Sequence, residues 1–182
     1  MNLKMPIVFD NDCISSFSWI HRIDLINNLF KHQIIIPEPV YGELEKMRTS
    51  KFSYVFSDIK KEIDNQNFEY KEIKITDSIF TEYLQLTTSL QNREWIGKGE
   101  ASAIVIAKDL GGTLASNNLR DVLPHIKNGQ PPLICTEEIL FYCYKMGFIK
   151  SEDGEEIWNE MKSKKRKLPK YDFNEVIRRH EK

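Results

Sequence analysis

The chain has 182 residues, of which 41% are hydrophobic and 29% are charged, and its formal net charge is −1 at pH 7. This length and composition indicate a folded protein with a sizeable core and exclude an intrinsically disordered chain. No apolar run reaches the ~18 residues that a membrane-spanning helix needs, and the first residues lack the apolar core of a signal peptide. We therefore expect a cytoplasmic protein with no membrane association.

The cysteines and histidines predict neither a disulfide framework nor a zinc site. Cys13, Cys135 and Cys143 form no CxxC pair, and the histidines form no HExxH pattern. A GxSxG motif is also missing from the sequence, which argues against a serine hydrolase.

Five short segments are predicted to be strands. Four are mostly apolar runs, which are typical of strands buried on both faces of a parallel sheet. The third alternates partly between apolar and polar residues and is expected near an edge. In chain order, the predicted strands are residues 6–9, 34–37, 68–75, 112–116 and 132–136.

Helical patterns lie between the predicted strands. Residues 18–31 are amphipathic and can be capped by Ser18, and Gly111 and Gly112 form a suitable stop for the helix that begins near residue 99. Strands that alternate with helices predict an α/β fold, here a three-layer α/β/α sandwich with a mainly parallel central sheet. The other helical patterns are residues 37–48, 77–90, 137–147 and 153–166.

The C-terminal part of the chain carries a dense basic run, "KSKKRKLPK", over residues 162–170. We predict one domain over residues 1–163, followed by a basic C-terminal tail over residues 164–182. Such a run is either a solvated surface segment or an arm that binds phosphates by Coulomb attraction and counterion release.

Acidic and amide side chains lie next to the ends of the predicted strands. Because the ligand sites of parallel sheets lie at the carboxyl ends of the strands, we expect these side chains to converge at one edge. Crowded carboxylates repel one another unless they share a cation, and Mg²⁺ and Mn²⁺ prefer oxygen ligands. Each residue alone also has a structural explanation as a helix cap or a first-turn acid. The residues are Asp10, Asn11, Asp12, Glu43, Glu100, Asn117, Asn118 and Asp121.

Four blocks of the sequence, in this order, resemble PIN-domain proteins, the family that includes ribonuclease toxins of bacterial and archaeal toxin–antitoxin pairs. The third block, in which an acid follows Gly-x-Gly and leads an alanine-rich helix, is the most specific. The resemblance covers roughly residues 5–136. The blocks are "IVFDNDCI", "IIIPEPVYGELEK", "IGKGEASAIVIAKDLGGTLAS" and "SNNLRD".

The resemblance implies a PIN-like domain that acts as a metal-dependent endoribonuclease and hydrolyses RNA phosphodiester bonds with Mg²⁺ or Mn²⁺. Its catalytic and metal-binding acids match Asp10, Glu43 and Glu100. Asp12 matches a polar position that can reach the metal directly or through water.

At the fourth acidic position of the family pattern this chain has an asparagine, Asn118 or its neighbour Asn117. We assign Asn118 to the catalytic set. Its amide oxygen can bind a hard ion but brings no charge, so metal affinity should be lower than with an acid. Asp121, about one turn further on, is a candidate to complete the metal shell.

Several residues at the same edge are candidates for binding RNA. Ser116 and Asn117 are candidates to bond a phosphate, with a strand-end turn as the alternative. Lys98, Arg120 and Arg93 are candidates to contact phosphates, with solvated surface residues as the alternative. The resemblance also implies an RNA substrate, an antitoxin protein as partner, and a homodimer.

Two other functions stay open at this point. The first is a PIN-like module with a weakened site that binds RNA or a protein partner without cutting, because Asn118 replaces an acid. The second is a different metal-dependent phosphohydrolase, although "DNDCI" lacks the Thr or Val of a DxDxT/V motif.

Overall fold

A computed structural model describes residues 3–88 and 95–181. Its single sheet has five parallel strands in the order β3-β2-β1-β4-β5, which confirms the predicted α/β class and places the third strand at an edge. The strands are β1 (Ile7–Phe9), β2 (Ile34–Pro37), β3 (Phe68–Lys71), β4 (Thr113–Ala115) and β5 (Leu133–Ile134).

The helices lie mainly between the strands, and the last three follow β5. Leu123–His125 form a 3-10 turn after α7. The helices of the described residues are α1 (Asn11–Ser18), α2 (Ile23–Phe30), α3 (Glu38–Glu45), α4 (Ser53–Asp64), α5 (Phe80–Thr87), α6 (Lys98–Asp109), α7 (Leu119–Val122), α8 (Thr136–Lys145), α9 (Ser151–Ser163) and α10 (Phe173–His180).

The first helical pattern is divided in the structure. Ser18, predicted as a cap, is the last residue of α1, and its hydroxyl donates to the carbonyl of Val55. His21 has a φ of 54°. This left-handed conformation turns the chain, so the amphipathic helix begins only at Ile23. The last two residues of the predicted helix 77–90 lie outside the described residues.

Helices cover both faces of the sheet, as predicted for a three-layer sandwich. In β1, Ile7 and Phe9 join the core on one face, whereas Val8 joins the core on the other. The second core is closed by α6, which buries a run of residues from Ala101 to Ala107. Small side chains allow this helix to lie close against the sheet, which positions the first turn of α6 at the sheet edge.

The segment predicted as a basic tail contains α10. Phe173 and Val176 are fully buried, and α10 contacts α8 and α9. The indole of Trp158 donates to the carbonyl of Tyr171 over 2.8 Å, and a Cβ at Gly154 would overlap the ring of Phe173. The domain boundary at residue 163 stays a prediction, but the residues of α10 contribute to the core of the described structure.

No helix within residues 3–88 or 95–181 combines the length and apolar character needed to cross a membrane.

Candidate metal centre

Asp10 lies at the carboxyl end of β1 and is only 2% exposed. It caps α1, because the backbone N–H of Cys13 donates to Asp10 Oδ1 over 2.8 Å, and the Ser116 hydroxyl donates to Asp10 Oδ2. Burial raises the pKa of Asp10 to about 7, against the opposite effect of these two hydrogen bonds, and the charges of Asp12 and Glu100 add to the rise. The chain therefore holds a carboxyl at this edge that is hard to ionise without a cation.

Glu43 projects from α3 and is partly buried at the same edge. The amide of Asn11 donates from Nδ2 to Glu43 Oε2 over 3.1 Å. Burial raises the pKa of Glu43, and the charge of Glu100 raises it further. The charge of Glu100 therefore reaches both Asp10 and Glu43, although the three acids lie on separate elements.

Gly97 and Gly99 leave the space that two of these carboxylates occupy. A Cβ at Gly99 would lie 2.9 Å from Glu43 Oε1, and a Cβ at Gly97 would overlap Glu100 Oε2. Neither glycine has a φ in the left-handed region, so space rather than backbone freedom explains them. The Gly-x-Gly sequence lets the start of α6 approach the acids closely.

Asn118 joins two acids through its side-chain amide. Its Nδ2 donates to Glu100 Oε1 over 3.3 Å and to Asp121 Oδ2 over 2.7 Å. Its backbone N–H donates to the hydroxyl of Ser116 over 3.1 Å. The turn after β4 therefore links Asp121 to Glu100 through Asn118, and its role as a metal ligand stays a prediction.

A family model described as a PIN domain (DUF3368) matches residues 6–182 of this chain. The chain belongs to the PIN-domain family. No curated protein and no solved structure matches it. PIN domains are generally nucleases that use divalent metals, so the family supports a nuclease-like fold for this chain. The match extends through the C-terminal segment that contains α10.

The acidic cluster of this PIN domain, defined here as Asp10, Asp12, Glu43 and Glu100, fits a hard cation in its chemistry. Its donors are oxygen atoms, which Mg²⁺ and Mn²⁺ prefer. Beside the cluster, Asn11 Oδ1 is buried without a hydrogen-bond partner in the described structure. Buried acceptors usually find a partner, and an ion can supply one.

The side chains of the cluster do not stand in a closed coordination shell. Among the residues that the structure describes, no three His, Cys, Asp or Glu side chains are grouped closely enough to hold a metal ion. Three of the cluster's carboxylates are instead held by separate hydrogen bonds. These bonds join Asp10 to Ser116, Glu43 to Asn11, and Glu100 to Asn118. Binding of an ion to this PIN domain would therefore require these side chains to change partners.

The two polar residues predicted to contact RNA at the end of β4 make hydrogen bonds within the protein, and their contact with RNA stays a prediction. Ser116 is fully buried, with its hydroxyl between Asp10 and the N–H of Asn118. The amide of Asn117 donates to Thr136 Oγ1 over 2.9 Å, and Asn117 Oδ1 accepts from the N–H of Thr136 over 2.9 Å. Both side chains therefore help to hold the end of β4 in place, and Ser116 is out of reach of solvent.

The predicted basic contacts are exposed. Lys98 is the first residue of α6, two residues before Glu100, and Arg120 lies on α7, two residues after Asn118. Their contact with RNA stays a prediction, and Arg93 lies outside the described residues. Asp12 is paired with Lys167, whose Nζ is 3.5 Å from Asp12 Oδ2.

Thr136 and Lys167 support the site but were not predicted from the sequence, whereas Asn11 was expected at this edge without a specific role. Asn11 stands between two predicted site acids, and this position was a usable signal for a residue that orients Glu43. No local pattern indicated that Thr136 bonds Asn117 or that the basic run reaches Asp12, because both contacts join segments distant in sequence.

Proposed function

We propose that this PIN domain is a metal-dependent endoribonuclease that hydrolyses RNA phosphodiester bonds. One observation carries the proposal. Three acids from separate elements, Asp10, Glu43 and Glu100, interact electrostatically. The carboxylates of Glu43 and Glu100 also occupy the space left by Gly99 and Gly97. An ordinary helix-to-sheet contact does not require one buried and two partly buried carboxylates that repel one another at a strand end. A shared cation removes their repulsion.

Asp10, Glu43 and Glu100 would hold Mg²⁺ or Mn²⁺, with Asp12 and Asp121 as further oxygen donors. When bound, such an ion makes a water molecule more acidic and neutralises charge that develops on the phosphate oxygens. Cys13 N–H and the Ser116 hydroxyl fix the orientation of the Asp10 carboxylate. Asn11 does the same for Glu43. None of these side chains serves as a covalent nucleophile in the proposed reaction.

The partners follow from the same proposal. We propose an RNA substrate, an antitoxin protein that holds the nuclease inactive, and a homodimer. These partners are supported by the resemblance to ribonuclease toxins of the PIN-domain family, and the site geometry is equally compatible with a nuclease outside a toxin–antitoxin pair.

The test is cleavage of a mixed RNA pool by purified protein with Mn²⁺ or Mg²⁺, beside Glu100→Gln prepared identically. Glu152→Gln is the matched control, because Glu152 is an exposed acid at the start of α9. We expect metal-dependent cleavage by the wild type and the control and none by Glu100→Gln. Equal cleavage by all three proteins would indicate a contaminant and contradict the role of Glu100.

A second function is favoured by Asn118, which replaces an acid and donates its amide hydrogens to Glu100 and Asp121. In this alternative, the domain binds RNA or a protein without cutting. Failure of the wild type to cleave RNA at saturating metal would favour this binding module, and cleavage by Asn118→Asp would then identify Asn118 as the cause.

A further inference from the structure

The basic run folds back against the acidic cluster. We define the basic strap as residues 164–170, "KKRKLPK". At the end of α9, Lys165 has a φ of 59°, Lys165 N–H donates to the carbonyl of Lys162, and Arg166 N–H donates to the carbonyl of Met161. This left-handed turn reverses the chain after the helix and directs the strap toward α1.

Both ends of the basic strap are fixed. At its far end, Lys162 Nζ donates to the carbonyls of Lys170 and Tyr171 over 3.1 and 2.7 Å. In its middle, the guanidinium of Arg166 lies 5.2 Å from the ring centroid of Trp19, and Arg166 Nη1 donates to Ser15 Oγ over 3.4 Å. The strap is therefore held on α1, the helix that Asp10 caps.

Lys167 is the residue of the strap that reaches the acidic cluster. Its Nζ lies 3.5 Å from Asp12 Oδ2, and the two side chains are 71% and 41% exposed. Among the ion pairs of residues 3–88 and 95–181, it alone includes an acid of the cluster. An exposed ion pair contributes on the order of 0–1 kcal/mol, so the ammonium can leave Asp12 at little cost.

An acidic cluster repels RNA unless cations stand beside it, and this chain has a net charge of −1. We propose that Lys167 binds a backbone phosphate of single-stranded RNA next to the acidic cluster and exchanges Asp12 for that phosphate, while Arg166 positions the strap. This inference rests on the proposed function, because it takes the cluster as the place where RNA lies. Lys164, Lys165 and Lys170 are exposed and extend the positive charge along the same strap.

The test measures binding of a fluorescein-labelled oligouridylate by fluorescence anisotropy. All proteins carry Glu100→Gln and are kept in chelator, so the RNA is not cut. Lys167→Gln is compared with Lys31→Gln, which removes the same charge after α2, at the opposite edge of the sheet. Lys167→Arg keeps the charge.

Loss of one phosphate contact makes the plot of log affinity against log salt less steep by about 0.7 for single strands. At ~0.1 M salt this corresponds to a Kd that is about fivefold higher. We expect this loss for Lys167→Gln, no change for Lys31→Gln, and recovery in Lys167→Arg. Equal slopes for Lys167→Gln and Lys31→Gln would overturn the proposal, as would no measurable binding by the protein with Lys167 intact. The anisotropy assay measures RNA binding without cleavage. A protein that fails to cleave RNA can therefore still show the phosphate contact of Lys167, so failure of the proposed function and failure of this inference are distinguishable.

Discussion

Asn118 donates a hydrogen bond from its side-chain amide to Glu100 across 3.3 Å. The same amide nitrogen donates to Asp121 over 2.7 Å, so one neutral side chain joins two acids. The sequence predicted that Asn118 would offer its amide oxygen to a metal ion. In the structure the amide nitrogen supplies hydrogens to two carboxylates, which stabilises their charges without neutralising them. The role of the amide oxygen at a metal ion stays a prediction.

Asn118→Asp is expected to make the fold more dependent on metal. The change removes the two donated bonds and adds a third negative charge, so we expect the free energy of unfolding in chelator to fall by about 1 kcal/mol. That corresponds to a Tm lower by about 2–4 °C for a chain of this size. Thermal unfolding with and without Mn²⁺ measures it, and Mn²⁺ should raise the Tm of the variant more than that of the wild type.

Asn159→Asp is the matched control for this prediction, because the Asn159 amide also donates to a glutamate, Glu155, but on an exposed face of α9. Its Tm should not respond to Mn²⁺ more than the wild type does. The same Mn²⁺ response in Asn118→Asp and Asn159→Asp would show that Asn118 has no special relation to a metal site.

Gly97→Ala and Gly99→Ala are expected to impair function more than stability. The new methyl group meets a carboxylate at the end of a flexible side chain, which can rotate away, so the free energy of unfolding should change by less than about 1.5 kcal/mol. A displaced ligand is costly in catalysis, and a misplacement of about 1 Å can cost on the order of 10²-fold. We expect RNA cleavage to fall at least ~10-fold.

Gly42→Ala separates this effect from the general properties of glycine. Gly42 lies inside α3, and a Cβ there has nothing within 4 Å. This variant should be about 0.5–1 kcal/mol more stable and should cleave RNA at the wild-type rate. Full activity in Gly97→Ala and Gly99→Ala would contradict the proposed place of the carboxylates.

Asp10 should make the stability of the protein fall as the pH rises. Its pKa is about 7 in the folded protein and 3.8 when unperturbed, so between these values the folded state holds a proton that the unfolded state releases. Stability from this group is present below about pH 4 and is lost progressively up to about pH 7. Asp10→Asn cannot ionise, so in chelator it should exceed the wild type in unfolding free energy by about 2–4 kcal/mol at pH 8.

Urea unfolding of both proteins at pH 5 and pH 8 tests this prediction. The advantage of Asp10→Asn should be much smaller at pH 5, and Mn²⁺ at pH 8 should stabilise only the wild type. A difference between the two proteins that does not change with pH would show that Asp10 ionises normally in the folded state.

Phe173→Ala should be among the most destabilising changes in the C-terminal segment. The ring is fully buried and packs against Gly154 and Trp158, so its loss should cost about 3–5 kcal/mol in the free energy of unfolding. Arg178→Ala, on the exposed face of the same helix, loses only an exposed ion pair with Glu175 and should cost less than about 1 kcal/mol. Similar urea unfolding curves for both variants would indicate that α10 is dispensable, as expected of a tail.

The strands were predictable because buried parallel strands are short apolar runs, and all five observed strands fall inside the predicted segments. The helices were less predictable than the strands. In α10, Phe173, Val176 and Ile177 have helical spacing and are buried, but the charged residues around them resemble a solvated tail. In α4, Val55, Phe56 and Ile59 are buried, and the aromatic residues at its start obscured the helical period.

The acids of the site were predictable because the carboxyl ends of parallel strands meet at one edge. The donors that orient them were not. Ser116 and Asn117 are adjacent in sequence, yet one bonds Asp10 and the other bonds Thr136. Which side chain turns which way depends on the spacing of β1, β4 and the start of α8, and sequence periodicity does not define that spacing.

The central position of β1 determines when the acidic cluster can exist during folding. β1 pairs with β2 on one side and with β4 on the other, and these pairings carry Asp10, Glu43 and Glu100 to one edge. A nascent chain that has emerged only as far as α6 has all three of these acids but lacks the β1–β4 strand pair that brings Glu100 to the other two. The like charges therefore meet only after most of the sheet has formed, and no short fragment of the chain carries an assembled site.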